Sequence, residues 1–234
     1  MLRIEGETLG YGDRAVLADL RFHLRQGERV VLLGRSGSGK STLLNAAYAR
    51  LAPEHAARIA LVPQEHGLVP QLSVFHNTYM GRLDRHSTAW NLLNLVWPQR
   101  SARASVDLAL DRVGLAGLAR RPVGALSGGQ KQRTALARAI HRGGDVLIAD
   151  EPVSAVDERH GAALLDLLAA RFPTMLVALH DVAQARRLAS RIVGIRGGRL
   201  VLDQPAQAVT DDQIDALYRC LLYTSPSPRD KRQS

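Results

Sequence analysis

Along the chain, short runs of branched apolar residues recur between polar or turn-forming neighbours, at residues 29–33, 58–62, 145–149, 174–179 and 191–195. Continuous runs of this length predict strands buried on both faces. Between them lie apolar positions at helical spacing, over residues 41–51, 104–113, 130–142 and 159–171. Strands that alternate with helices predict a mostly parallel sheet covered on both sides. Gly197-Gly198, set between IVGIR and RLVLD, predicts a tight antiparallel turn. Residues 68–130 lack clear strand runs and hold both tryptophans, so they predict a helical subdomain inserted into an α/β core and reaching residue 142 with the helix that follows. Trp90, Leu93 and Trp97 fall at three- and four-residue spacing and are expected to form a core-facing stripe. As the alternative, Phe75, Tyr79 and their neighbours line a groove for a partner helix.

Composition narrows the class. With 46% hydrophobic and 23% charged residues in 234, the chain has the balance of a globular protein and enough length for a sizeable core. No apolar run approaches the roughly 18 residues of a membrane span. The N-terminus MLRIEGETLG places acidic residues where a signal peptide has its apolar stretch, so a cytoplasmic location is expected. The net charge of +9 is carried almost wholly by arginine, which suits nucleic acid, an anionic membrane surface or a phosphorylated ligand, and equally suits a codon bias toward Arg. Cys220 is the only cysteine, which excludes a disulfide framework and a cysteine-based zinc site. From Cys220 the composition changes: CLLYTSPSPRDKRQS has two prolines and no apolar periodicity after Tyr223. CLLYTSPSPRD resembles a translated sequencing-library adapter, and residues 220–234 are expected to be an artefactual tail, with 224–234 making almost no packed contacts. Without Arg229, Asp230, Lys231 and Arg232 the net charge is still +7.

The chemistry is concentrated after the first buried run. Residues 34–41, GRSGSGKS, fit G-x-x-x-x-G-K-[ST] between a predicted strand and a predicted helix. In such a loop, glycines let backbone N–H groups close around phosphate oxygens, and the following helix adds the positive end of its dipole. Gly34, Ser36, Gly37, Gly39, Lys40, Ser41 and Thr42 are therefore candidate nucleotide-binding residues, with Lys40 directed at the β- and γ-phosphates and the Ser41 hydroxyl at Mg²⁺. A second acidic site, Asp150-Glu151, ends the apolar run VLIA. Successive residues at a strand end point apart, so Asp150 is the candidate for holding Mg²⁺ through a water and Glu151 for polarising the attacking water.

Leu126-Ser-Gly-Gly-Gln130, ahead of the helical run KQRTALARAI, resembles the signature of ATP-binding cassette (ABC) ATPases. The resemblance spans nearly all of residues 2–219. It implies a P-loop NTPase core of the ABC type, with a small antiparallel β subdomain and an inserted helical subdomain. The core would be residues 1–67 and 143–203, the helical subdomain 68–142, and the C-terminal segment 204–219. It further implies that Tyr11 stacks on adenine, Gln64 contacts Mg²⁺ and the attacking water, and His180 touches the γ-phosphate. Asp157, in the SAVD run, would cross a dimer interface, and Ser127, Gly128, Gly129 and Gln130 would contact the nucleotide held by a second copy packed head to tail. The implied cofactors are ATP and Mg²⁺. Each of these residues also has a plainer reading: Tyr11 as a surface tyrosine, Gln64 as a polar strand cap, His180 as a structural histidine.

The stretch from Leu68 to Pro98, with LSV-x-x-N, then GRL and a tryptophan-bearing segment, resembles phosphonate-importer ATPases, as does DDQIDALYR. That resemblance implies an energy-coupling ATPase on the cytoplasmic face of the inner membrane, docked on permease subunits that receive cargo from a periplasmic binding protein. A soluble ABC-type subunit of an enzyme assembly is the alternative. A DNA-repair ATPase is disfavoured because the chain has no room for a coiled-coil or zinc-bearing insertion, so no nucleic acid partner is expected. One departure stands out: the segment from Lys40 to Gln64 is short, which implies that the hairpin normally found there is trimmed.

Overall fold

The computed structural model describes residues 1–12 and 14–219. The elements run β1 (Leu2–Tyr11), β2 (Arg14–Leu24), β3 (Arg29–Leu33), α1 (Lys40–His55), β4 (Ile59–Val62), α2 (Val74–Tyr79), α3 (Thr88–Val96), α4 (Arg100–Arg112) and α5 (Gly128–Arg142). They continue with β5 (Val146–Asp150), α6 (Glu158–Arg171), β6 (Thr174–Ala178), α7 (Val182–Leu188), β7 (Arg191–Arg196), β8 (Arg199–Pro205) and α8 (Asp211–Tyr218).

Six strands form one sheet in the order β4-β5-β6-β3-β7-β8. The first five are parallel, and β8 returns antiparallel to β7. The return is made by Gly197-Gly198, whose φ values of 58° and 72° match the right-handed strand twist as branched residues do not. The five apolar runs read from the pattern are these five parallel strands, with boundaries moved by a residue at most. β1 and β2 form a separate antiparallel pair. Among the described residues no strand lies between α1 and β4, in line with the trimmed segment expected there.

Because side chains alternate along a strand, the sheet divides the apolar interior in two. Val30, Leu32, Ile59, Val146, Ile148 and Leu176 face α1 and the β1–β2 pair. Val31, Leu33, Ala60, Val62, Leu147 and Val177 face the other way, in a cluster continuous with residues of α4, α5, α6 and α7. Arg191 ties the two sheets together. Its guanidinium is buried, donates to Asp203 on β8 at 2.5 and 2.8 Å, to Glu28 at 3.1 Å and to the His23 carbonyl of β2 at 3.0 Å, and lies over the Phe22 ring.

Two expectations for the helical region are corrected. Leu93 and Trp97 are exposed, and Trp97 lies just past the end of α3, so the tryptophan stripe is not core. Phe75 and Tyr79 are buried in the large cluster and do not line an open groove. The reason is that Asn91 and Asn94 have better partners inside than out. Asn94 donates to the Trp90 carbonyl and accepts from the Gln99 amide, both at 2.9 Å, while Asn91 accepts from the Tyr79 hydroxyl at 3.0 Å and donates to the Leu83 carbonyl at 2.9 Å. The Asn91 bonds tie this face of α3 to the preceding segment, while those of Asn94 satisfy its buried amide within the helix and the turn that ends it. The expected tail at 220–234 lies outside the described residues.

Candidate nucleotide site

Register brings the motifs to one edge. Leu32 on β3 and Asp150 on β5 both pair with Ala178 on β6, and Val62 on β4 pairs with Ala149. The chain therefore leaves four neighbouring strands at the same level, carrying Gly34, His180, Glu151 and Gln64 at their carboxyl ends, where open α/β sheets bind ligands.

The phosphate loop leaves β3 through Gly34, at φ 149°, and a Cβ there would lie 2.3 Å from the Ile195 carbonyl oxygen, so only glycine fits. At the far end Gly39 precedes α1 with no side-chain cap and no acidic residue in the first turn. The first amides of α1 are left for an anion, reinforced by the helix dipole. Lys40 is buried, and its ammonium donates to the carbonyls of Gly34 at 2.8 Å and Arg35 at 3.1 Å, across the loop. Burial lowers its pKa from the usual lysine value, against the opposing pull of Glu151 and Asp150. Thr42 is buried behind it, while Ser36 and Gly37 form the exposed tip.

Asp150, the last residue of β5, is buried, with Oδ1 lacking any hydrogen-bond partner. Burial pushes its carboxyl up, the Ser41 hydroxyl works against that shift, Glu151 adds to it, and Lys40 opposes it. Glu151 follows with φ 50°, a left-handed conformation that costs a non-glycine residue about 1–2 kcal/mol. Its amide donates to the Ala178 carbonyl at 3.1 Å, and its carbonyl accepts from Gln132 Nε2 at 2.8 Å and from the Ser154 hydroxyl at 3.2 Å. The twist turns the carboxylate away from Asp150's direction and toward β6, where Oε1 lies 2.5 Å from His180 Nε2. Glu151, Ser154, Glu158, His180, Asp181 and Gln184 border a cavity of about 420 Å³. A carboxylate fixed beside an imidazole, next to a cationic loop, can polarise a water aimed at a bound phosphate.

The remaining predicted residues are more peripheral. Tyr11, at the end of β1, is 59% exposed, and its hydroxyl accepts from Asn45 of α1 at 3.4 Å. Gln64 is exposed just beyond β4. Ser127 caps α5: its hydroxyl accepts from the Gln130 amide and the Gln130 side chain accepts from the Ser127 amide at 3.0 Å, a reciprocal capping box. Gly128 and Gly129 pack against Ala155. Asp157 caps α6 and pairs with His160 at 2.7 Å. Among the described residues no hydrogen bond joins residues 127–130 to the phosphate loop. Sequence reasoning missed Gln132, the buried bridge from α5 to Glu151. The signal was available, since a glutamine on the apolar face of a helix needs a polar partner.

A glycine-rich loop between β3 and α1, an acidic strand end beside it and a mixed sheet define a P-loop nucleotide-binding protein. The ABC transporter family matches residues 17–154. The chain belongs to that family and is an ABC-type, ATP-binding ATPase. It is 40% identical over 233 residues to phosphonates import ATP-binding protein PhnC 1 of Natronomonas pharaonis, covering 93% of this chain and 99% of that one. To the PhnC proteins of Rhodopseudomonas palustris (strain BisB5) and Pseudomonas putida it is 36% and 37% identical, covering 93% of this chain and 89% of each. Among solved structures, a dimeric bacterial ABC transporter cassette superposes with a TM-score of 0.77 at 24% identity, over 89% of this chain and all of that one. A nucleotide-free cassette of an ABC transporter gives 0.73 at 19% identity, over 93% and 98%. No helix of the described residues is long and apolar enough to cross a membrane.

Proposed function

We propose that this chain is the energy-coupling ATPase of an importer for phosphonate-type substrates, working as a head-to-tail dimer under membrane permease subunits at the cytoplasmic face. The observation that carries the reading is the Glu151–His180 contact beside the Lys40 loop, taken with three relatives that share the importer description. Residues 1–219 act as one cassette, with 68–142 as its helical subdomain.

In this reading the amides of residues 34–42 and the Lys40 ammonium grip the β- and γ-phosphates, and Tyr11 stacks on adenine. Glu151 accepts a proton from the attacking water, while His180 holds that carboxylate in place and faces the γ-phosphate. Asp150 fits a magnesium site, because its partnerless buried oxygen and the nearby Ser41 hydroxyl are hard donors of the kind Mg²⁺ takes alongside phosphate oxygens and waters. Such sites do not need an all-protein cage, which fits the absence of any cluster of three acidic, His or Cys ligands among the described residues. When bound, the ion neutralises charge developing on the phosphates; Gln64 would complete its shell.

Within one chain the γ-phosphate is enclosed on one side only. The Gly128 and Gly129 amides, which the capping box of a partner's α5 leaves over, would together with that turn seal the other side, with Asp157 crossing between the copies. Closure with ATP and opening after hydrolysis then provide the stroke. For the permease, the structure offers a groove of about 540 Å³ between the sheet and the helical region, bordered by Leu61, Pro63, Gly67, Met80, Leu83 and Arg138. The test is reconstitution with the neighbouring permease and binding protein in vesicles. ATP-driven uptake of a phosphonate supports the reading, and normal ATPase activity with no permease association points instead to a soluble enzyme assembly.

A further inference from the structure

Helix α3 is inside out. Its polar positions Asn91 and Asn94 face the protein, Asn94 with no exposure at all, while Leu92, Leu93, Leu95 and Val96 face solvent, with Val96 81% exposed. Trp97, directly after the helix, is 70% exposed. Several large side chains side by side on one short helix form a patch, not the scattered single apolar residues of an ordinary surface.

The surroundings say what covers it. α3 itself carries no charged residue, and no acidic residue occurs from Arg85 to Val106. Arg85 precedes the helix, Arg100 and Arg103 follow it, and all three are exposed. The nearest acid before it, Asp84, is already paired with Arg142 at 2.9 Å. Asp107, one turn beyond Arg103 on α4, is the next acid, so the exposed charge flanking α3 is mainly basic, and an apolar face with an indole at its end and a mainly basic rim matches a negatively charged lipid surface. Leucine and valine would enter the boundary between headgroups and acyl chains, Trp97 would sit at headgroup depth, and the arginines would meet lipid phosphates.

We infer that α3 is a lipid-contacting helix, through which the chain binds anionic bilayer surfaces directly. The inference is separate from the importer reading, because lipid binding is measured without nucleotide, permease or cargo.

The chain's two tryptophans, Trp90 and Trp97, lie on or beside α3, so intrinsic fluorescence reports this element alone. The purified full chain, mixed with vesicles of phosphatidylcholine and phosphatidylglycerol at low salt, should co-sediment and show a blue-shifted emission. Pure phosphatidylcholine vesicles should give much weaker binding. Leu93→Glu combined with Val96→Glu should lower binding roughly tenfold or more while ATP binding and thermal midpoint stay as in the parent chain. Arg100→Glu with Arg103→Glu should weaken it in a salt-dependent way. Absence of blue shift and of co-sedimentation with anionic vesicles overturns the inference, as does undiminished binding by the Leu93/Val96 variant. If the patch instead drives self-association or permease co-purification without any vesicle binding, it is a protein-docking face and the lipid assignment is wrong.

Discussion

Gln132 Nε2 donates to the Glu151 carbonyl at 2.8 Å, while Gln132 Oε1 accepts from the Ala155 amide at 2.9 Å. One buried side chain on α5, the helix that begins with the SGGQ turn, thus holds both ends of the segment that follows the acidic pair. It also fixes the left-handed backbone of Glu151, which is what points that carboxylate at His180. Gln132→Leu leaves the Ala155 amide unpaired, takes one of its partners from the Glu151 carbonyl, which keeps Ser154, and loosens this turn. Expected is a loss of kcat of at least about tenfold, with nucleotide affinity changed far less. Equal losses in binding and turnover would assign Gln132 a general structural role.

Glu151→Gln keeps the shape of the turn and the phosphate loop but removes the proton acceptor. Steady-state ATPase should fall by about 10²–10⁴-fold, the range of a lost general base, with ATP binding retained and a dimer accumulating in size-exclusion chromatography. A variant that hydrolyses ATP at the parent rate would show that Glu151 is not the base. Ser127→Arg, placed at the cap of α5, should block that dimer and leave monomer nucleotide binding intact.

His141 is buried on α5, its ring 6.3 Å from Tyr79 and its Nε2 unpartnered. Burial and the Arg82 charge lower its pKa to about 4, against about 6.5 in an unfolded chain. Between these values the unfolded state binds a proton that the folded state refuses, so stability from this group rises with pH through the window and is lost on acidification. His141→Leu should flatten the fall in thermal midpoint between pH 6.5 and 4. An unchanged pH slope would place the acid sensitivity elsewhere.

Asp150 is shifted in the opposite sense to a salt-bridged carboxylate. Its folded pKa is raised, so its ionised form costs stability above that pKa, and the cost disappears as pH falls below the unfolded value. Asp150→Asn should raise the thermal midpoint of the nucleotide-free protein at pH 7, with the gain shrinking toward the carboxylate range, and should impair ATPase activity. A lower midpoint at pH 7 would mean that the carboxylate's partners outweigh its burial.

Arg191 joins the two sheets through Asp203, Glu28 and the His23 carbonyl. Arg191→Leu leaves the mostly buried Glu28 and the more exposed Asp203 without their shared partner, and a loss of about 1–3 kcal/mol is expected by chemical denaturation. Rescue by Asp203→Leu in the same chain would trace the loss to the uncompensated charge.

The sequence by itself determined the parallel strands, the Gly197-Gly198 hairpin and the phosphate loop, because each depends on residues adjacent in the chain: a run too apolar to be exposed, a backbone only glycine adopts, a helix start without a side-chain cap. Lys40 was legible from the glycine-loop motif and Asp150 and Glu151 from the end of an apolar run, whereas His180 was legible only through the resemblance to ABC ATPases. What only the tertiary structure decided is how distant residues compete for partners. Three- and four-residue spacing made Trp90, Leu93 and Trp97 look like a core stripe. Yet Asn91 found a hydroxyl and a carbonyl on the preceding segment, and those bonds hold the asparagine face of α3 inward so that its leucines face out. A glutamine on the apolar face of α5 signalled that Gln132 needs a polar partner, but which one stayed hidden because Glu151 and Ala155 lie about twenty positions away. A hydrophobic pattern records which side chains prefer to leave water, but which face of a short helix does so is set by hydrogen bonds formed only after the chain has folded.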